Sequence, residues 1–432
     1  MTEELRQLGY HYYPDDLHYS QADLATWLPI LRSLGARWLT LTSSAHRAIP
    51  EHFLKSLIDA GITPVVRLPV RIGTLVEGYS DLLSLYARWG VQYVVVFDRP
   101  NCQSSWRQNE WTRIRLIERF TDFLIPVLQA QRTAGLKAIF PPLEPGGDYW
   151  DTAFLEAALS ALQRRAPDQI KQLVLSVYAW TYNQQLDWGI GGPENWPESL
   201  PYHTPEGSQD QRGLRIFDWY SAIYKKIIGE IPSFLVAAGG SSLPTAEPTR
   251  VDLDRHSEDT LSITRLLQNK TLPGNLLNFS FYCLASSTPG TDSAWFPSIS
   301  EPLPVVKAMQ TLLHSTQNKQ ASAVPQEIPV KPIVHYVLLP RDLDAGSLWD
   351  WKSFGDFIRT AHPVIGFSAE EARYAERVTV VGDETQFPSV IEDSLRAESC
   401  IVSRLDLAPF SDLVSESEPE VQTSEQSGER YG

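Results

Sequence analysis

Val94-Val95-Val96-Phe97-Asp98-Arg99-Pro100-Asn101 is an apolar run that stops abruptly in a polar, proline-punctuated turn. Four consecutive apolar residues read as a strand buried on both faces, as in a parallel sheet covered by helices. Working outward, the same unit recurs. Upstream, strands are expected at Gly9–Tyr13, Arg37–Thr42 and Thr63–Leu68, with helices at Gln21–Leu34, Glu51–Ala60 and near Leu82–Trp89. The quoted run completes strand four, Val91–Phe97. Downstream, strands at Leu136–Phe140, Gln172–Trp180, Ser233–Ala237 and Leu276–Leu284 alternate with helices at Trp111–Ala134, Thr152–Arg165, Leu214–Ile228, Ser257–Asn269 and Pro304–His314. Pro126 is expected to kink the first of these helices. Eight β/α pairs over residues 1–317 predict an α/β fold, a (β/α)₈ TIM barrel. An open doubly wound sheet competes, but it calls for a Gly-rich first turn, and His11-Tyr12-Tyr13-Pro14-Asp15-Asp16 stands there instead.

Residues 318–331 lose all periodicity and read as a linker. A second series follows over 332–410: strands His335–Leu339, Val364–Phe367, Val378–Val381 and Cys400–Leu405, and helices Trp349–Thr360, Ala369–Glu376 and Ser389–Ala397. This predicts a small parallel α/β domain. Ser368 is expected to cap the middle helix, with Glu371 closing a capping box. Residues 411–432 carry Asp412, Glu416, Glu418, Glu420, Glu425 and Glu429 against Arg430 and are expected to be a disordered acidic tail.

The chain of 432 residues is 43% apolar, enough for a sizeable core, and its 13 Trp and 17 Tyr would suit flat ligands such as sugar rings. A formal charge of −15 argues against nucleic acid or an anionic membrane as partner. Cys102, Cys283 and Cys400 are odd in number and far apart, so no disulfide framework is expected. His11, His203 and His256 make no metal pattern, and Gly-x-Ser-x-Gly, Walker and Gly-x-Gly-x-x-Gly patterns are absent. No cofactor is expected. No signal peptide and no spanning apolar run is visible, so a cytoplasmic location is expected. The sequence names no protein partner.

In such barrels chemistry sits at the carboxyl ends of the strands. Glycosidic cleavage needs two carboxyl groups there, about 5–5.5 Å apart for retention and about 6.5–9.5 Å for inversion. The acids near expected strand ends are Asp15, Asp16, Asp98, Glu144 and Asp148, with Asp187 and Glu194 in the loop after strand six.

The first 315 or so residues resemble the barrels of glycoside hydrolase clan A, in which Asn-Glu-Pro ends strand four and a second Glu ends strand seven. The resemblance places the clan's Asn on Asp98, its proton-donating Glu on Arg99, its Pro on Pro100 and the frequent following Asn on Asn101. It places the strand-seven nucleophile on Ala238, before Gly239-Gly240. Gly9-Tyr10-His11-Tyr12-Tyr13-Pro14 and Trp295-Phe296 also suit the clan. The departure matters more than the match. An arginine, with a pKa above about 12, donates no proton near neutrality, and Ala238 carries no carboxyl.

Strand alternation sends neighbours to opposite faces, so Asp98 and Arg99 are not both expected inward if the strand stays regular. A structural or binding role suits Arg99 better than catalysis, and an inward Arg would clamp a carboxylated or phosphorylated ligand. Glu144 stands in the rigid turn Pro141-Pro142-Leu143-Glu144-Pro145-Gly146-Gly147, and Asp98 with Glu144 is the best remaining catalytic pair. Asp148 is expected to cap the next helix, and the Asp252–His256 stretch to serve helix capping. Residues 181–213 form a long loop, and loops of that length are usually functional. Its Tyr182, Trp188, Trp196, Tyr202 and His203 are expected to form a stacking platform over the barrel mouth, to pin the loop to the barrel top, or to do both. Tyr12, Tyr178, Trp180 and Trp295 complete the binding candidates.

Three readings follow: a barrel without the standard catalytic pair that binds a carbohydrate or another partner; an active glycosidase using Asp98, Glu144 or Glu194; and a non-catalytic scaffold.

Overall fold

The computed structural model describes residues 5–74, 78–244, 248–287, 293–322, 331–340, 358–359 and 361–405, with the backbone alone at 316–322. Two compact units divide the chain, Met1–Lys319 and Gln320–Gly432. In the first, eight strands form one sheet: β1 (Leu8–His11), β2 (Trp38–Thr42), β3 (Thr63–Leu68), β4 (Tyr93–Val96), β5 (Ile139–Phe140), β6 (Val174–Trp180), β7 (Ser233–Gly240) and β8 (Leu276–Phe281). All seven pairings are parallel, in the order β4-β3-β2-β1-β8-β7-β6-β5. The first strand thus lies beside the eighth, and the sheet curls into a nearly closed TIM barrel with helices outside.

The one seam lies between β4 and β5, and the chain closes it without a ladder. At one end Lys137 N donates to Gln92 O (3.0 Å), and at the other Arg99 N donates to Pro142 O (2.9 Å). Between them the buried Gln131 amide, from the helix Leu116–Thr133, acts as a surrogate strand. Its Nε2 donates to Val94 O (2.8 Å) and its Oε1 accepts from Ile139 N (3.1 Å). Buried backbone groups must be paired, and one side-chain amide satisfies a carbonyl on β4 and an N–H on β5.

Strand alternation sorts the core into two layers. Val65, Tyr93, Val95, Ile139, Val174 and Leu235 pack together inside the barrel. Their strand neighbours Val66, Val94, Val96, Leu175 and Val236 pack outward into the main core. The inward set carries on towards the carboxyl ends as Arg67 on β3 and Tyr178 and Trp180 on β6, because side chains repeat every second residue. Gly9 fits the crowded interior: a Cβ there would lie 2.8 Å from Trp38 Cβ. On β7 a bulge shifts the register, so Val177 pairs with Val236 but Tyr178 with Ala238.

Capping chemistry moves some expected boundaries. The helix expected from Ser257 begins at Arg250, because Thr249 and Asp252 close a capping box. The helix expected from Trp111 begins at Leu116, after Arg115 in the left-handed region. Pro126 stands inside it. Asp148 does not cap the helix Asp151–Arg165: its Oδ2 accepts from Gln103 N (2.7 Å), tying the loop after β4.

The second unit carries a four-stranded parallel sheet, β9 (Ile333–Leu338), β10 (Val364–Gly366), β11 (Ala375–Val381) and β12 (Ile401–Leu405), in the order β10-β9-β11-β12. The helix Ser389–Ala397 is as expected. The helix expected over Ala369–Glu376 stops at Ala372, because Ala375 already pairs with Ile333 as part of β11. Ser368 accepts from Glu371 N, but the Glu371 carboxylate closes no box and takes Tyr336 Oη instead (3.2 Å). The expected helix over 349–360, apart from 358–359, most of the linker (323–330) and the tail 411–432 lie outside the described residues. No described helix is long and apolar enough to cross a membrane.

Candidate functional site

The site begins where β4 ends. Phe97 and Arg99 both take left-handed backbone angles (φ 68° and 46°), each costing on the order of 1–3 kcal/mol. Regular alternation therefore ends at Val96, and Asp98 and Arg99 both line one cavity at the barrel mouth. The expectation that only one of the two faces inward applies to a regular strand, and the strand is no longer regular here. Asn101 locks the turn. Its Nδ2 donates to Glu144 O (2.8 Å) and Tyr149 O (2.9 Å), and its Oδ1 accepts from Glu144 N (2.8 Å). Asn101 is buried beneath the site and acts by positioning Glu144. Gly147 leaves room for this amide, since a Cβ there would stand 2.5 Å from Asn101 Nδ2.

The cavity has a volume of about 520 Å³, within the roughly 300–1,000 Å³ usual for small-molecule sites. Its charged lining is Arg67, Asp98, Arg99 and Glu144; its aromatic lining is Tyr178, Trp180, Tyr182 and Tyr282, with Ala238 at the end of β7. Among the described residues, Asp98 and Glu144 are the only carboxylates that line it.

The charges are paired crosswise. Asp98 Oδ2 meets Arg67 Nη2 at 3.0 Å, and Asp98 Oδ1 accepts from Tyr178 Oη at 2.6 Å. Arg67 Nη2 also donates to Tyr178 Oη (2.7 Å), and its Nη1 reaches His11 Nε2 (3.0 Å). Because a guanidinium can only donate, His11 Nε2 accepts and its proton sits on Nδ1. Burial and then Arg67 hold the His11 pKa well below the usual histidine value, so His11 is neutral. Burial opposes the Arg67 charge, but Tyr178 and Asp98 outweigh it and raise its pKa.

Arg99 Nε lies 2.9 Å from Glu144 Oε2 without hydrogen-bond alignment, an ion pair by proximity. Its guanidinium carbon stands 4.7 Å from the Tyr178 ring centre. Burial lifts the Glu144 carboxyl above its ordinary range and Asp98 adds to this, while Arg99 and a long contact from Tyr182 Oη (3.5 Å) oppose it. The aromatic wall is ordered: Tyr178 and Trp180 are stacked at 6.3 Å and 15°, and Tyr282 meets Trp180 edge-on at 5.5 Å. Among the described residues no group of three or more His, Cys, Asp or Glu could hold a metal ion.

Of the residues singled out from sequence, Asp98, Arg99, Glu144, Tyr178, Trp180 and Tyr182 converge here. Tyr12 does not; it is buried among Tyr13, Tyr19, Trp27 and Phe53. Trp295 is likewise buried, against Tyr10 and Phe281. Trp188 and Trp196 pin the loop after β6: Trp188 Nε1 points at Asp210 Oδ1 (3.5 Å) and Trp196 Nε1 donates to Ile190 O (3.1 Å). Glu194 sits in the short helical turn Gly192–Asn195 of the same loop, outside the cavity lining. The residues missed from sequence are Arg67 and Tyr282. Arg67 left a signal, a lone charge in the apolar strand Thr63-Pro64-Val65-Val66-Arg67-Leu68.

Neither a protein-family model nor a curated protein sequence matches the chain. Among solved structures, a family 39 glycoside hydrolase from the gut symbiont Bacteroides cellulosilyticus WH2 is similar at 13% identity and a TM-score of 0.49, covering 73% of this chain and 65% of that one. A glycoside hydrolase family 128 endo-β-1,3-glucanase from Pseudomonas viridiflava is similar at 14% identity and a TM-score of 0.44, over 71% and 98% of the two chains. An L-ribulose 3-epimerase is similar at 12% identity and a TM-score of 0.39, over 74% and 99%.

Proposed function

We propose that this chain is a glycoside-hydrolase-like barrel that binds carbohydrate at its mouth without hydrolysing it. One observation carries the reading. At the end of β4, where the clan A resemblance calls for a proton-donating Glu, stands Arg99, a permanent cation paired with Glu144. Ala238, on the cavity wall at the end of β7, supplies no nucleophile. Trp180, stacked on the buried Tyr178, and Tyr282 are the partly open rings on which a pyranose ring would rest, and Asp98 and Glu144 are acceptors for its hydroxyls.

A second reading, an active glycosidase, draws support from Asp98 and Glu144 sharing one cavity and from the upward shift of the Glu144 carboxyl. Against it, each carboxylate has an arginine beside it, and a cation favours the ionised form over the proton-loaded one. Calorimetric titration with a panel of oligosaccharides, beside turnover of aryl glycosides, tests the proposal. Binding without turnover, weakened at least tenfold by Trp180→Ala, is expected. Turnover abolished by Asp98→Asn or Glu144→Gln would refute it.

A further inference from the structure

The charged lining sums to zero: Arg67 and Asp98 form one pair, Arg99 and Glu144 the other. The two arginines are not equally satisfied. Arg67, only 12% exposed, spends its terminal nitrogens on His11, Tyr178 and Asp98. Arg99 is 41% exposed, and Glu144 approaches it at Nε. Among the described residues no hydrogen bond reaches Arg99 Nη1 or Nη2. Its guanidinium carbon stands over the Tyr178 ring and its backbone N–H is fixed to Pro142 O. The result is a preorganised fork of unspent donors at the mouth of an aromatic-walled cavity.

We infer that the ligand is an acidic sugar, whose carboxylate is held by the terminal nitrogens of Arg99 while its ring rests on the Trp180 wall. The inference rests on the carbohydrate-binding reading and narrows it. A planar carboxylate matches the guanidinium fork with two parallel hydrogen bonds. A monoanion suits the local charge better than a phosphate dianion: one cation is open, and Asp98 and Glu144 stand close by to repel a second negative charge. The partly exposed position of Arg99 keeps the desolvation cost of such a pair small.

The test is calorimetric titration of the full chain with trimers of galacturonate, mannuronate and glucuronate, each beside its carboxyl-reduced neutral counterpart, and with inorganic phosphate. At least one acidic trimer is expected to bind tenfold or more tighter than its neutral counterpart, with affinity falling as salt rises. Arg99→Met is expected to remove that preference, and Arg99→Lys to keep only part of it, because a lysine keeps the charge and loses the fork. Melting curves of both variants establish that they fold. Neutral trimers binding as tightly as acidic ones, or a preference that survives Arg99→Met, would overturn the inference while leaving the carbohydrate reading intact. Phosphate binding with the same Arg99 dependence, in place of the trimers, would overturn the carboxylate assignment. A failure of every sugar, acidic or neutral, would overturn both.

Discussion

Asp151 is the buried acid on which the architecture around the site converges, and its ionisation should be visible in the stability of the barrel. Its Oδ1 accepts from Gly146 N (2.9 Å), in the turn that carries Glu144, and from Gln211 Nε2 (2.7 Å), at the end of the long loop. Its Oδ2 accepts from Tyr220 Oη (2.9 Å) on the helix Ile216–Ile228. Burial raises its pKa from 3.8 to about 6, against the pull of those three donors. Between those two values the folded chain holds a proton that the unfolded chain has released, so stability falls as pH rises through the window and levels off above it. At about 1.36 kcal/mol per pH unit, the ionised carboxylate costs about 3 kcal/mol relative to the protonated one. Asp151→Asn keeps the geometry: Oδ1 still accepts from Gly146 and Gln211, and the Tyr220 hydroxyl turns to accept from the new amide. The variant should match the wild type near pH 4 and exceed it by up to about 3 kcal/mol at pH 7.5. Asp151→Ala strands all three donors and should lose more than about 3 kcal/mol at every pH, at roughly 1–3 kcal/mol per unsatisfied group. Urea unfolding followed by tryptophan fluorescence measures this in the barrel, since all of the 13 Trp except Trp349 and Trp351 lie in residues 1–319. The difference between variant and wild type cancels the other carboxylates. A flat difference between pH 4 and 7.5, or one of opposite slope, would refute the argument.

Gln131→Leu should destabilise the barrel by about 2–4 kcal/mol, seen in the urea midpoint, because Val94 O and Ile139 N lose their partner at the one unladdered seam. Asn101→Ala should cost about 2 kcal/mol or more and weaken sugar binding in titration, since three hydrogen bonds that fix the Glu144 turn disappear. Arg99→Glu should not create aryl-glycosidase activity. It should instead lower the melting temperature at neutral pH and recover stability on acidification, because a third carboxyl in the cavity adds like-charge repulsion that protonation relieves, so stability falls as pH rises.

The strands are legible in the sequence because runs such as Val94–Val96 and Val65-Val66 have no polar alternative to burial. Helix starts are less so: Thr249 and Asp252 sit in a polar stretch, and their capping box extends the helix by most of two turns beyond its first apolar stripe. The site is half legible. Tyr178 and Trp180 follow from period-two alternation on β6, and the same alternation separates His11, which faces in towards Arg67, from Tyr12, which packs outward on Trp27. That distinction needs the register of β1, which aromatic content alone does not give. Asp98 and Arg99 escape alternation because Phe97 and Arg99 adopt left-handed angles that no residue-type preference announces. Arg67 is visible as a lone charge in a buried strand, but its partner Asp98 lies 31 positions away, and it is the parallel β3–β4 pairing, with Arg67 opposite Val95, that brings them together.

The side chains at the end of β4 are best understood with their neighbours. The turn aims two consecutive side chains into a mouth that already receives Glu144 from the β5 side. A glutamate at the place of Arg99 would make three carboxylates in one cavity; two unit charges about 4 Å apart interact by roughly 4 kcal/mol at an effective dielectric of 20. An arginine turns that repulsion into attraction, and with Arg67 on Asp98 the lining becomes neutral. The Arg99 side chain thus stabilises the mouth in its unliganded form. It also leaves terminal guanidinium donors facing the cavity, so the neutral lining and the proposed hold on an anionic ligand are two consequences of a single side chain.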